Sequence, residues 1–304
     1  PGFATSVTAL ARHLGCAIFA EPLSGLRFGS HDRSQILCSY DDIQEIRQPE
    51  WILRFGAVPV TRALQNLLDQ HRGNMVLVDP WPRWNDPFSR LTHLIHASPL
   101  ATCQALLGSA PAPCPAAWLA HWPSTTVDTI SDPYGQLIRQ CIDQLPADCP
   151  VFIGNSLAIR MLDKYSGSDE KPLAFFANRG ASGIDGNVST ALGIASACGR
   201  ILALLGDLTC QHDLGGLAAA RGRDAIIVVI NNGGGRIFEH LPQHKLPEFE
   251  AAWLTPQQLD FQAAAKTFGL SYAATQVTNN SFVEALQNAL AVGGPHLLEV
   301  ILNS

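Results

Sequence analysis

Residues 205–241 read LGDLTCQHDLGGLAAARGRDAIIVVINNGGGRIFEHL, and the fold is decided there. An apolar run from Ile201 to Leu205 stops at Gly206-Asp207. A small-residue segment, Leu214 to Arg221, leads to a second apolar run, Ala225 to Ile230, which stops at Asn231-Asn232. Two short aliphatic runs joined by a helix-length segment predict a strand–helix–strand unit of a buried parallel sheet. Ligands of such sheets sit beyond the carboxyl ends of the strands, where Gly206-Asp207 and Asn231-Asn232 both fall. One carboxylate and one amide oxygen then face the same crevice, and Gly233-Gly234-Gly235 lets backbone approach a ligand closely. An Asp, an Asn and an exposed backbone carbonyl form an all-oxygen set of low charge. That set suits Mg2+, whose coordination is usually completed by phosphates and water. The plainer alternative is turn chemistry, since strands commonly end in Asp and turns commonly begin Asn-Asn-Gly.

Composition bounds the rest of the chain. Its 304 residues are enough for two domains with a large core. Hydrophobic residues make up 47% and charged residues 15%, the balance of a well-buried α/β protein rather than a disordered one. A net charge of -6 provides no basic field for nucleic acid. No run of some 18 uncharged apolar residues suggests a membrane span. The start, PGFATSVTALARHLG, lacks the basic region and long apolar stretch of a signal peptide. It reads as mid-helix, with Val7, Leu10, Ala11 and Leu14 on one face, and with no Met at position 1 the chain is expected to be part of something longer. The eight cysteines are scattered without a Cys-x-x-Cys pair, which points to reduced thiols in a cytosolic or stromal compartment. Cys210, close to Asp207, reads as a small buried thiol rather than a nucleophile.

From Ser6 to about Leu107 helices alternate with short strands. CAIFAE, WILRFG (Trp51 to Gly56) and NMVLVDP (Asn74 to Pro80) read as strands, and Thr61 to Gln70 as a helix. The pattern is that of a doubly wound, Rossmann-like domain, yet no strand is followed by Gly-x-Gly-x-x-Gly, which argues against a dinucleotide site. Arg62, at a strand-to-helix junction, either faces a crevice or is a solvated helix-terminal arginine. His93 and His96, spaced i, i+3, read as ordinary imidazoles rather than metal ligands. The alanine- and proline-rich segment Gly108 to Trp118 reads as an interdomain linker. The expected domains are therefore 1–112, central and Rossmann-like, and 113–304, carrying the chemistry.

In the second domain Asp132 to Gln144 reads as a helix, and VFIGNSLAIR (Val151 to Arg160) as a strand ending at Gly154-Asn155. The helix that follows starts near Ser156, a position where Ser or Asn normally caps and where anions are favoured. Arg160 lies one turn along the same face as Ser156, unless it is simply a surface helix charge. AFFANRGASGIDGN (Ala174 to Asn187) is a strand and a glycine-rich turn with one arginine, Arg179, and one bulky apolar residue, Ile184. Ile184 either packs inward or presses against a cofactor ring. Beyond the Asp/Asn pair, Ile237, Phe238 and Leu241 recur at helical spacing, as core or as pocket lining. LPQHKLPEFEAAWLT reads as a long surface loop. A helix (Pro256 to Phe268), a strand (Leu270 to Ala273), a helix (Ser281 to Ala291) and a strand (Pro295 to Ile301) close the chain. Ser281 with Glu284 fits a capping box, which leaves Glu284 no catalytic role.

Gly206-Asp207, 23 intervening residues and then Asn231-Asn232 resemble the magnesium-dependent fingerprint of thiamine-diphosphate enzymes. Leu208 stands where glycine is usual in that broad family, and so points to a particular branch. With FIGNSLAIR, NRGASGIDG and RIFEHLP, the chain resembles the MenD family, the 2-succinyl-5-enolpyruvyl-6-hydroxy-3-cyclohexene-1-carboxylate synthases of menaquinone or phylloquinone biosynthesis. The resemblance implies two doubly wound parallel-sheet α/β domains and a transferase that uses thiamine diphosphate (thiamine pyrophosphate) and Mg2+. Such an enzyme decarboxylates 2-oxoglutarate and adds the succinyl-semialdehyde carbanion equivalent to isochorismate.

By the same resemblance, Asp207 and Asn232 are side-chain metal ligands and Gly234 lends a carbonyl. Gly206 belongs to the cofactor motif, and Ile184 bends the cofactor. Ile237, Phe238 and Leu241 line the pocket, Ser156 lies near cofactor and substrate, and Arg160 and Arg179 hold substrate carboxylates through paired, charge-assisted bonds. The family also has an N-terminal pyrimidine-binding domain with an activating glutamate. This chain is expected to lack it and to be inactive alone, and the full-length protein is expected to be a homo-oligomer of the cytoplasm or plastid stroma. The competing readings are an acetolactate synthase-like enzyme that prefers pyruvate, and a non-catalytic fragment that only binds cofactor.

Overall fold

Apolar runs of four to eight residues separated by helix-length segments pair in parallel, because each crossover helix returns the chain to the same end of the sheet. The structure, a computed structural model, describes residues 2–38, 40, 43, 47–120, 122, 130–256 and 258–302. Two compact units emerge, residues 1–127 with 167–170, and residues 128–166 with 171–304. Among the described residues no helix is long and apolar enough to cross a membrane.

In the first unit β1 (Ile18–Phe19) pairs with β2 (Ile36–Leu37), and β3 (Trp51–Phe55), β4 (Asn74–Asp79) and β5 (His93–His96) form a second sheet, all parallel. The expected strand CAIFAE shrinks to its two central residues. The first helix, Phe3–Leu14, ends because Gly15 turns left-handed (φ 63°) and returns its N–H to Ala11 and Arg12. Helix Arg62–Gln70 begins at Arg62, which is exposed, and buries Leu64, Leu67 and Leu68. Helix Pro99–Gly108 is capped by the Ser98 side chain. His93 and His96 lie on β5, where their rings bond to Thr92 Oγ1 and the Pro80 carbonyl, each at 2.9 Å. The alanine- and proline-rich segment packs within this unit. Cys114 N–H donates to Leu14 O at 2.7 Å, and the rings of Trp118, Trp122 and Phe19 meet edge to face.

The second unit is built on six parallel strands: β6 (Pro150–Ile153), β7 (Ala174–Phe176), β8 (Arg200–Gly206), β9 (Asp224–Asn231), β10 (Ser271–Thr275) and β11 (Pro295–Ile301). Their order is β10-β11-β9-β8-β6-β7. On one face Ile201, Ala203 and Leu205, with Ala225, Ile227 and Val229, pack against Val188, Leu192, Leu217 and Phe261. The alternate residues Leu202, Leu204, Ile226, Val228 and Ile230 are equally buried, so the central strands are covered on both faces. Each fully buried aliphatic side chain contributes roughly 1.5–3 kcal/mol. At the amino ends of β8 and β9 an Arg200–Asp224 ion pair (2.6 Å) closes the sheet, which leaves the carboxyl ends for chemistry.

Several local expectations give way. The crossover after β8 is a helix, Asp207–His212, followed by a 3-10 turn, Leu214–Ala220, rather than one helix over 214–221. Residues 241–255, expected to be a long surface loop, are mostly exposed but hold two helical turns, Pro242–Lys245 and Glu250–Leu254. The next helix starts at Phe261, not Pro256, because the Asp260 carboxylate caps it through Ala263 N–H (2.9 Å); Gln257 lies outside the described residues. The Ser281/Glu284 capping box does not form. Asn280 (φ 60°) is the cap residue, and Ser281 Oγ is engaged by Gln276, accepting its N–H at 2.9 Å and donating to its carbonyl at 3.1 Å.

Candidate active site

Register brings the candidate residues to one edge. Ile153 of β6 pairs with Leu204 of β8, and Gly206 of β8 with Ile230 of β9. The segments following three adjacent strands, at Asn155, Asp207 and Asn232, therefore leave the sheet side by side at its carboxyl end.

Asp207 is 2% exposed. Its Oδ1 accepts Leu208 N–H at 2.7 Å and its Oδ2 accepts Gly234 N–H at 2.8 Å. Burial pushes its carboxyl above the ordinary carboxylate range, while the N–H groups of Leu208, Gly234 and Gly233 pull it down. Among the described residues it has no cationic partner, and no three His, Cys, Asp or Glu side chains gather to hold a metal. Tyr134, buried in the helix Pro133–Gln144 and close enough to feel the Asp207 charge, has its phenol raised first by burial and then by that carboxylate.

Gly233 (φ 79°) and Gly234 (φ 125°) turn the chain after β9. A Cβ on Gly234 would lie 2.3 Å from the Leu254 carbonyl oxygen, so only glycine passes here. The same oxygen accepts Gly235 N–H at 2.6 Å, which locks the turn to the helical segment Glu250–Leu254. The Gly234 carbonyl accepts Arg236 N–H at 2.9 Å and keeps its second lone pair. Asn231 is engaged at both ends of its amide, Nδ2 donating to Glu299 Oε1 at 2.7 Å and Oδ1 accepting Gly233 N–H at 3.3 Å; Asn232, half-buried, is the residue presented beyond the strand.

Ser156 does not cap its helix. It takes φ 66° and ψ −130°, outside the extended backbone of a capping serine, and its side chain bonds no helical N–H. Its carbonyl instead accepts Arg160 Nη1 at 2.8 Å, and both residues are exposed. Arg179, also exposed, donates Nη1 to Asn155 Oδ1 at 2.7 Å. Ile184 is half-buried in the glycine-rich loop. The neighbouring Asp185 meets His212 Nδ1 at 2.8 Å, tying that loop to the helix that Asp207 begins. Arg236–His240 is a 3-10 turn that leaves Ile237 and Phe238 half-buried, with Phe238 edge-on to Trp253 at 5.9 Å. Leu241, 37% exposed, lines a surface cavity of about 370 Å³ with Glu239, Pro242 and His244.

Sequence reasoning passed over Asn155, Asn187 and Tyr134. An asparagine directly after an apolar strand, with a serine already available as cap, was the one local signal for Asn155.

Residues 159–300 match the family described as thiamine pyrophosphate enzyme, C-terminal TPP binding domain. The chain is 52% identical over 302 residues to the 2-succinyl-5-enolpyruvyl-6-hydroxy-3-cyclohexene-1-carboxylate synthase of Dechloromonas aromatica (strain RCB), covering 97% of this chain and 56% of the relative. It is 38% identical over 321 residues to the synthase of the same name from Geobacillus thermodenitrificans (strain NG80-2), covering 99% and 54%. The chain is similar to these synthases over almost its whole length, and to the C-terminal domain of thiamine pyrophosphate enzymes over residues 159–300. It spans about half the length of the curated relatives it matches. In fold it is similar to the benzoylformate decarboxylase of Polynucleobacter necessarius (TM-score 0.69, 17% identity, 98% of this chain and 58% of that one). The parallel-sheet α/β class and the thiamine-diphosphate domain expected from the sequence are thus present. The family match covers β8, β9 and the glycine turn, which together present Asp207, Asn232 and Gly234.

Proposed function

We propose that the whole protein of which this chain forms part decarboxylates 2-oxoglutarate and transfers the resulting four-carbon unit to isochorismate. The supporting observation is that two exposed arginines, Arg160 and Arg179, bond to Ser156 O and Asn155 Oδ1 just past the end of β6, whose neighbour β8 ends at the buried Asp207. Both substrates are carboxylates, and forked guanidinium groups hold carboxylates with direction as well as charge.

Asp207, Asn232 and the Gly234 carbonyl fit a divalent cation. One desolvated carboxylate without a cationic partner and two neutral oxygens make a hard, weakly charged donor set. These three would hold Mg2+, and through it the diphosphate. Thiamine diphosphate, when bound, supplies the carbanion chemistry. The protein's part is to bind and orient. Ile184, in the glycine-rich loop, would press on the cofactor, and Gly206, Ile237, Phe238 and Leu241 would line its site. Ser156 would lie near cofactor and substrate, with Arg160 and Arg179 to hold the substrate carboxylates. The same reading makes the protein a homo-oligomer of the cytoplasm or plastid stroma, with the first unit as a central domain and the second as the diphosphate-binding one, so that their boundary falls after the expected residue 112.

The test is steady-state kinetics on the full natural polypeptide with thiamine diphosphate and Mg2+. The expected kcat/KM for 2-oxoglutarate exceeds that for pyruvate, and Arg179→Ala narrows the gap by about 10- to 100-fold, the loss of a charge-assisted bond. A preference for pyruvate in the unmodified protein would sink the substrate assignment.

A further inference from the structure

Asn155 is 92% removed from solvent, with relative exposure 8%, and both ends of its amide are used. Its Oδ1 accepts Arg179 Nη1 at 2.7 Å, and its Nδ2 donates to the Gly183 carbonyl at 2.8 Å. The orientation admits no flip, since a guanidinium only donates and a carbonyl only accepts. The support beneath it is rigid. Gly154 N–H donates to Leu204 O at 2.8 Å, and a Cβ on Gly154 would meet that oxygen and Leu205 Cδ2 at 3.3 Å. On the other side of the loop the fully buried Asn187 donates its amide to the Ile184 and Asp185 carbonyls at 2.8 and 3.1 Å, and more weakly to Gly183 at 3.4 Å. The Gly183–Ile184 peptide is thus held by two asparagines, and one of them also holds Arg179.

We propose that Asn155 is a positioning residue that couples the Arg179 grip on the substrate carboxylate to the placement of Ile184 against the cofactor. Of the five N–H donors of an arginine, one fixes Arg179 to Asn155 and the others remain for an incoming carboxylate. An arginine anchored at one nitrogen gives up less freedom on binding than one that is loose on an open loop. The inference rests on the functional reading above for the identity of the carboxylate, but not for the link between the two residues and the loop.

The experiment uses the full natural polypeptide with two substitutions. Asn155→Ala removes both bonds. Asn155→Asp keeps the volume and the arginine contact, but turns an acceptor toward the Gly183 carbonyl and occupies the guanidinium with a competing carboxylate. Both are expected to raise KM for 2-oxoglutarate by about ten-fold, the scale of one hydrogen bond to a charged group, with a smaller change in kcat. The Asn155→Ala penalty is expected to vanish in an Arg179→Ala background, because Asn155 acts through that arginine. Likewise its penalty on thiamine-diphosphate affinity, measured by titration calorimetry with Mg2+, vanishes in an Ile184→Ala background. In the cofactor-free protein both single variants speed hydrogen exchange of residues 180–187 while the strands stay protected.

Additive penalties in either double-mutant cycle, or unchanged exchange in the loop, would overturn the proposal. If the unmodified protein ignores 2-oxoglutarate, the functional reading falls, and the calorimetric cycle and the exchange data still decide the role of Asn155. Should Asn155→Ala lose strand protection, it has failed to fold; Asn155→Asp, which preserves packing volume, then decides between coupling and its absence by the same KM and exchange readouts.

Discussion

Replacing Gly234 by alanine tests the proposed metal turn at its tightest point. The new Cβ would fall 2.3 Å from Leu254 O and 3.3 Å from Thr255 O, against an attractive optimum near ~3.5–4.0 Å for carbon contacts. Leu254 O cannot retreat freely, because it accepts Gly235 N–H at 2.6 Å. Relieving the clash in a packed interior costs about 1–3 kcal/mol. Holding a non-glycine residue at φ 125° costs about 1–3 kcal/mol more. A total of roughly 2–6 kcal/mol, about 4 kcal/mol at its midpoint, is larger there than the worth of the Gly234 N–H bond to Asp207 (about 1.5–3 kcal/mol for a charged acceptor), so the turn is expected to move and the bond to break. Isothermal titration of thiamine diphosphate with Mg2+ into the natural polypeptide should then show affinity reduced by about 30-fold or more, each ~1.4 kcal/mol being tenfold. Gly233→Ala is the control. Its φ of 79° is strained, but its nearest neighbour, Arg236 Nη2, is 3.9 Å away, so it carries only the conformational cost of about 1–2 kcal/mol. Affinity of Gly234→Ala within about threefold of the unmodified protein, or equal losses in the two variants, would refute the argument that close passage of the Leu254 carbonyl shapes the site.

Two further expectations follow from buried groups. The raised Asp207 carboxyl means the folded state holds its proton more tightly than the unfolded one, so stability falls as pH rises from the ordinary carboxylate range through the folded value. In melts of the metal-free protein, the melting temperature of Asp207→Asn minus that of the unmodified protein should grow from pH 4 to pH 7, and a flat or shrinking difference counts against a desolvated carboxylate. Thiol alkylation at pH 8 should reach exposed Cys198 first and leave Cys210, pushed by burial to about 12, and Cys103, pushed to about 11, unmodified in the folded protein; rapid labelling of Cys210 in peptide mass spectra would contradict the packing around Asp207.

The chain's own order was enough to predict β8, β9 and the glycine turn between them and the proposed pocket wall. Aliphatic runs of five and six residues, a Gly-Asp stop and an Asn-Asn-Gly stop are local signals, and local sterics act on them within a few residues. The closing strand was equally legible, Pro295 to Ile301 being both the expected and the observed span. Local chemistry misled where a distant group competed for the same atoms. Ser281 looks like half of a capping box, but its hydroxyl is taken by Gln276. Ser156 looks like a helix cap, but its backbone is turned to φ 66° where the chain leaves β6.

By itself the sequence determined which residue types reach the carboxyl ends of the strands, because hydrophobic period and turn chemistry are properties of short windows. Only the tertiary structure decided which of them meet. Strand order places β6 beside β8 and β8 beside β9, and no window of sequence contains that order. It is why Asn155 bridges Arg179 and Gly183, partners 24 and 28 residues away, and why Asp207 meets Gly234 across 27 residues. The requirement for glycine at 234 comes from a carbonyl twenty residues further on, which passes too close to leave room for a single methyl group.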